Sequence, residues 1–279
     1  MELVVDIGTN WVRSTVDDSF ACVLEHIEQA AHAGATVAKL QLFKVDKLYS
    51  EKRAPKQYKQ NKRYEFPLEW LPKVRECARK NKIKLWASVF DEETAAEAAK
   101  FISGIKIASG DLTNDDLILS VVTLAKKYGL EFAVSTGAST LGEVEHFYRL
   151  IDDKHIIPYI LHCVSLYPAK ASDYNLGCMH SIADRKLGLS DHTGDVDPIL
   201  IGMAIALGCE LFEVHFSIEK VISPDMVVSL LPYSLSIYGR EILRAVEILG
   251  NSWKHPILEE ISEQYWIRRG SDGLRPKEE

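Results

Sequence analysis

Short β-rich runs and amphipathic helical stretches alternate along this sequence with a regularity that few architectures can absorb. The runs are LVVDIG, TVAKLQLF, KLWASVF, GIKIASG, EFAVSTG, IIPYILHCVS, KLGLSDHT and CELFEVHFSI. Between them, helical patterns cover residues 19–34, 67–81, 91–103, 114–129, 140–153, 175–186 and 196–208, and an eighth, 234–250, follows the last run. Several close on Gly, as helices commonly do. Eight strand–helix pairs of this kind predict an α/β chain folded as a single-domain (β/α)8 TIM barrel over residues 1–253, with a polar tail at 254–279. A doubly wound sheet would need fewer strands and a Gly-rich first turn, and DIGTNW is not G-x-G-x-x-G.

Composition excludes several other classes. Hydrophobic residues make up 47% of the 279 and charged residues 26%, enough for a large core. A net charge of −7 argues against wholesale binding of nucleic acid or of an anionic membrane. No apolar run reaches the length of a membrane span, and MELVVDIG opens on a strand with no basic leader, so a cytoplasmic protein is expected. The five cysteines (Cys22, Cys77, Cys163, Cys178, Cys209) are scattered, never C-x-x-C, and read as reduced thiols. Residues 44–66 form a long insertion after the second strand, with eight Lys/Arg against three Asp/Glu. A solvated loop and an anion-guiding lid are equal readings of it.

Barrel strands are buried on both faces, so polar residues on them need a reason. Side-chain alternation puts Glu213, His215 and Ser217 on the axis side of the eighth strand, and Ser190 and His192 together on the seventh. Lys39 and Gln41 share a face of the second strand. Asp6, Ser88, Lys106, Ser135 and Thr136 come from the first, third, fourth and fifth. All fall at or near C-terminal strand ends, where barrel enzymes place their sites. A single strand histidine is more often a satisfied core residue, but two on adjacent strands favour a shared ligand, and two neutral imidazoles leave a divalent metal open positions. Two lysines amid hydroxyls suit a small phosphorylated or carboxylated ligand, although ion pairing alone could also explain them. His162 and Cys163 read as packing residues with a secondary contribution, and the remaining histidines as unremarkable.

AGATVAKLQLFKVDKL, KIASGDLTN, VSTGAS, LHCVSLYPA, GLSDHT and EVHFSIEK occur in one order and spacing across about residues 3–225. In these motifs the chain resembles the sialic acid synthases, the N-acetylneuraminate synthase family. That family condenses phosphoenolpyruvate with an open-chain aldose, typically N-acetylmannosamine, using a divalent metal. The resemblance implies His192 and His215 as metal ligands, with manganese first and magnesium or cobalt as alternatives. It implies that Lys39, Ser88, Lys106, Ser109, Ser135 and Ser190 line the phosphoenolpyruvate site, and that Gln41, Tyr167 and Asp225 contact the aldose acceptor. A homodimer is left open.

The sequence departs from that family in places. The first strand has Asp6 and Trp11 where EIGxNH is usual, and the acid of SGE is Asp111; each Asp is one methylene shorter than Glu. The GPDH loop reads SPDM, keeping Pro224 and Asp225. The antifreeze-like C-terminal domain, which in the family supplies an arginine to the acceptor's N-acetyl group, is not found in this sequence. An acceptor other than N-acetylmannosamine, or one whose acetamido group contributes little, is therefore expected. Asp6 and Asp111 are the candidates for proton handling. Two other classes compete: a metal-dependent pyruvate aldolase or sugar epimerase, and a catalytically silent paralogue that binds a partner synthase.

Overall fold

The computed structural model describes residues 1–151, 156–182 and 184–277. Eight parallel strands pair in chain order: β1 (Glu2–Asp6), β2 (Val37–Leu42), β3 (Lys84–Val89), β4 (Gly104–Ile107), β5 (Glu131–Ser135), β6 (Tyr159–Cys163), β7 (Lys186–Asp191) and β8 (Cys209–Phe216). β1 also pairs with β8, so the sheet closes into the expected (β/α)8 barrel. A two-residue β9 (Ser229–Leu230) lies beside the end of β8. The chain divides into a compact unit Met1–Val246, which holds the barrel, and a second unit Glu247–Glu279, which carries the helix Leu258–Ile267.

The helices start where a side chain can cap them. Thr15 accepts from the Asp18 N–H at the head of helix Val16–His32, Asp91 from Thr94 before Glu92–Ala98, and Asn114 from Leu117 before Asp115–Tyr128. Asp197 does the same for Pro198–Ala206. Two stretches differ from the sequence expectation. The helix expected at 175–186 is a 3-10 segment, Leu176–Ile182, behind a second 3-10 turn, Ala171–Tyr174. Asn175 sits between them at φ 44°, a left-handed conformation that no α-helix can run through. The 44–66 insertion is not a plain loop: it holds short helices Val45–Leu48 and Pro55–Asn61 and a 3-10 turn, Lys62–Tyr64. His155 and the end of the expected 140–153 helix lie outside the described residues.

Strand alternation sorts the barrel interior into layers. At the N-terminal end Lys84 Nζ bridges Glu2 (2.8 Å) and Glu131 (3.0 Å). Above it Val4, Val37, Trp86, Ala133, Tyr159, Leu161 and Leu211 form an apolar plug separate from the larger core between strands and helices. Gly104 is needed there, because a Cβ would stand 2.3 Å from the Trp86 ring. The register then raises a polar layer over the plug: Asp6 pairs with Lys39 and with His215, Ser88 with Lys106, and Ser190 with Glu213.

Outside the barrel, buried His26 ties the first helix to the end of β8. Its Nδ1 meets the Cys22 carbonyl at 2.8 Å and so carries the proton, and its Nε2 faces the Ile218 N–H at 3.4 Å. Burial lowers its pKa to about 4 from an ordinary 6.5. The native ring therefore stays neutral while the unfolded one takes up a proton. Stability present above pH 6.5 should be lost as pH falls toward 4, by about 3 kcal/mol in full. Urea midpoints measured from pH 7.5 to 4.5 should fall more steeply for the wild type than for His26→Gln; parallel acid limbs would contradict this.

Candidate active site

The polar layer opens into a cavity of about 270 Å³ at the C-terminal end of the barrel, lined by the sequence-expected site residues except Asp111, Thr136 and Ser217. Lys39, fully buried on β2, points between two carboxylates, with Asp6 Oδ2 at 2.5 Å and Glu213 Oε2 at 3.6 Å, and also donates to Ser88 Oγ at 3.0 Å. Lys106 on β4 reaches Glu213 Oε1 at 2.5 Å, and the Ser190 hydroxyl donates to the same oxygen at 2.9 Å. Gln41 donates to Asp6 Oδ2 at 3.1 Å, while the Gly8 N–H caps Asp6 Oδ1 at 2.9 Å. Ser109 receives the Gly137 N–H at 3.1 Å and touches Cys163 Sγ. Ser135 Oγ is buried without a hydrogen-bond partner.

Charge state follows from these pairings. Burial pushes the Asp6 carboxyl up, but the charge of Lys39 and its hydrogen bond outweigh it, holding Asp6 well below the usual carboxylate range. Burial likewise raises Glu213 and is outweighed by Lys106 and Lys39, so its pKa is lowered. Lys39 is pushed down by burial and further up by Asp6 and Glu213. The Lys39 ammonium is thus ionised, desolvated and aimed before any ligand arrives.

The two histidines meet at the rim with ring centroids 5.5 Å apart, and Tyr167 stacks on His192 at 4.4 Å. His192 Nδ1 faces the Val164 carbonyl at 2.6 Å; a carbonyl only accepts, so Nδ1 bears the hydrogen and Nε2 presents a lone pair. Tyr167 OH and Ser190 Oγ each stand 3.3 Å from that Nε2. Burial and the neighbouring His215 lower the His192 pKa to about 4, so the ring is neutral at physiological pH. His215 Nδ1 is buried without a hydrogen-bond partner, 3.9 Å from Asp225 Oδ1. Asp225 is anchored by the Thr9 N–H and hydroxyl, both 2.7 Å from its Oδ2. A Cβ on Gly8 would strike that same oxygen at 2.3 Å, and Gly8 is at φ 53°.

A neutral His192 with a free lone pair, beside a second imidazole with an orphaned ring nitrogen, is a donor set a divalent ion takes. Among the described residues no group of three His, Cys, Asp or Glu side chains converges to hold an ion. The pair therefore fits a metal that completes its coordination with substrate or water, and does not fit a closed structural site.

Asp111 stands apart from the other expected site residues. It ends the 3-10 turn Ser109–Asp111 outside the cavity lining, and its carboxyl is engaged with the Asn114 side chain. Ser217 turns instead to the Glu219 carbonyl, at 2.6 Å. Glu213 was legible as axis-facing, but its part in holding both lysines was not. His162 and Cys163 line a larger cleft of about 520 Å³ beside the loop after β5, with Thr136 and Tyr174. That cleft has no lysine or arginine in its lining, whereas the smaller cavity has Lys39 and Lys106.

The NeuB family matches residues 26–254. The N,N'-diacetyllegionaminic acid synthase of Campylobacter jejuni is 32% identical over 248 residues, covering 82% of this chain and 72% of that protein. The enzyme of the same name from Legionella pneumophila is 30% identical over 273 residues, covering 88% and 73%. The crystal structure of an N-acetylneuraminic acid synthetase from Leptospira borgpetersenii, in complex with citrate, superposes with a TM-score of 0.84 at 25% identity, over 96% of this chain and 92% of that one. A barrel closed in the same order and a match across most of the sequence lead to one conclusion: this chain belongs to the NeuB family.

Proposed function

We propose that the protein condenses phosphoenolpyruvate with an open-chain aldose, giving a 2-keto-3-deoxy sugar acid and phosphate, with a divalent metal at His192 and His215. The observation that carries this reading is the single cavity in which two buried lysines, a set of hydroxyls and two imidazoles face one another. Relatives named as synthases of legionaminic, pseudaminic and sialic-type acids support the same reaction class. Manganese is the expected ion, with magnesium and cobalt as substitutes.

Lys39, Lys106 and the hydroxyls of Ser88, Ser109, Ser135 and Ser190 bind the phosphate and carboxylate of phosphoenolpyruvate. Their carboxylate partners keep the ammonium groups oriented, so little reorganisation is needed as charge develops. Gln41, Tyr167 and Asp225 hold hydroxyls of the acceptor at the rim. A bound divalent ion would supply Lewis-acid polarisation of the acceptor aldehyde. C3 of phosphoenolpyruvate bonds to the aldehyde carbon, water adds at C2 while one of its protons ends on the former aldehyde oxygen, and phosphate leaves with the electron pair of the C2–O bond as the 2-keto group forms. Asp6, held ionised, can take the proton of that water but has none to give.

Phosphate release from phosphoenolpyruvate with manganese and a panel of aldoses tests the proposal. The panel holds N-acetylmannosamine, mannose and the aldose whose condensation would yield N,N'-diacetyllegionaminic acid. Aldose-dependent release is the expected result. Carbon–carbon bond formation or epimerisation without phosphate release would favour the aldolase or epimerase reading, and no turnover with any aldose would favour a silent paralogue.

A further inference from the structure

Asp191 faces away from the cavity. Strand alternation turns Ser190 and His192 toward the barrel axis and Asp191 outward, into the layer between strands and helices, where it is 2% exposed. No basic side chain accompanies it there among the described residues; its partners are neutral donors. The Thr193 N–H donates to Oδ1 at 2.8 Å, and the Tyr238 hydroxyl, from helix Pro232–Leu249, donates to Oδ2 at 3.1 Å. Tyr174, at the end of the 3-10 turn after β6, aims its hydroxyl between the Ser190 carbonyl and Asp191 Oδ1, 3.4 Å from each. The same phenol oxygen accepts the His192 backbone N–H at 2.6 Å.

A carboxylate desolvated without a countercharge is costly, and a chain has no use for one in an apolar layer unless it fixes something nearby. What it fixes here is the backbone on either side of His192. One residue back is Asp191 itself, one residue on is the Thr193 N–H, and the His192 N–H ends on the phenol that meets the carboxylate. The His192 carbonyl is held separately by the Ala169 N–H at 2.9 Å, and its Nδ1 by the Val164 carbonyl. With both peptide groups pinned, the imidazole has one direction left, into the cavity.

We infer that Asp191 and Tyr174 are positioning residues for His192, a clasp outside the barrel wall that sets the direction of Nε2. This rests on the reading of His192 as a metal ligand, and it extends that reading to residues that touch neither ion nor substrate. Tyr238 is the internal control: it packs into the same layer and bonds the same carboxylate, but makes no bond to His192.

The experiment compares Tyr174→Phe, Tyr238→Phe, Asp191→Ala and Asp191→Asn with the wild type, all in the full chain. Manganese affinity is read by electron paramagnetic resonance titration, well below each variant's unfolding midpoint. Tyr174→Phe and Asp191→Ala should bind manganese at least tenfold more weakly. Tyr238→Phe should stay within twofold although its unfolding midpoint falls, and Asp191→Asn, which keeps an acceptor oxygen, within about threefold. Nitrogen-15 shifts of the His192 ring in the metal-free protein give a second readout. The wild type should show one tautomer, protonated on Nδ1; Tyr174→Phe should show a mixture and Tyr238→Phe should not. Equal losses in Tyr174→Phe and Tyr238→Phe, or an unmixed tautomer in Tyr174→Phe, would overturn the inference and leave a brace for stability alone. Failure of the wild type to take up manganese would refute the metal reading, while the ring shifts still decide the clasp. If Asp191→Ala does not fold, the two tyrosine variants carry the comparison.

Discussion

Replacing His192 or His215 with alanine should abolish aldose-dependent phosphate release while the barrel stays folded. Each ring is one of only two imidazoles at the cavity rim, and no third His, Cys, Asp or Glu ligand stands ready to compensate among the described residues. Loss of metal-assisted charge stabilisation amounts to several kcal/mol, so turnover should fall on the order of a thousandfold or more. Folding depends on neither ring to that extent, because the strands carrying them are held by ladders on both sides. His146→Ala, which removes an exposed histidine paired with Asp115 on distant helices, is the matched control and should behave as wild type. Manganese titration with circular dichroism on the same samples separates loss of metal from loss of fold. Undiminished manganese affinity in both cavity variants would place the ion elsewhere.

Lys106→Met is expected to weaken phosphoenolpyruvate binding by a hundredfold or more, roughly 3 kcal/mol, whereas Lys56→Met in the exposed, basic insertion should change it less than twofold. The contrast follows from surroundings: Lys106 is desolvated against Glu213, and Lys56 lies in water, where screening by salt leaves little. Lys106→Met should also destabilise the protein, because Glu213 keeps its buried charge with Lys39 at 3.6 Å as the remaining cation. Breaking a buried pair in this way costs about 3–5 kcal/mol. Adding Glu213→Gln removes the stranded charge, so the double variant should recover much of the thermal midpoint but none of the affinity. Calorimetry and thermal unfolding on the three variants test both halves. Equal affinity losses for Lys106→Met and Lys56→Met would mean that the insertion recognises the anion and the barrel does not.

The barrel and its polar mouth were legible because strand periodicity is a local property. Alternation alone placed Lys39, Lys106, Ser190, His192 and His215 on the axis side, and the register bears this out. Interactions set by long-range approach were not legible. Thr9 holds Asp225 across 216 positions, and Glu213 meets Lys106 across 107, with no sequence signal joining either pair. The motif around Asp111 was legible, but its bond to the Asn114 side chain, made at the end of a 3-10 turn, was not. After β6 the apolar spacing over 175–186 suggested an α-helix, but Leu176–Ile182, behind the left-handed Asn175, is wound as a 3-10 helix.

The apolar plug around Trp86 makes the barrel a cup with a sealed base, and this separates two design problems that most enzymes must solve with the same residues. Below it, the Lys84 cluster with Glu2 and Glu131 lies under the layer in which Lys39 and Lys106 hold their own carboxylates. Changes to the lower cluster can therefore retune the robustness of the scaffold without disturbing the charges that select a ligand. The upper loops are free in the complementary sense: they can acquire new acceptor contacts over a separately packed floor. For anyone wishing to redirect such a protein toward another sugar, the practical order of work is to stiffen the base first and diversify the rim afterwards.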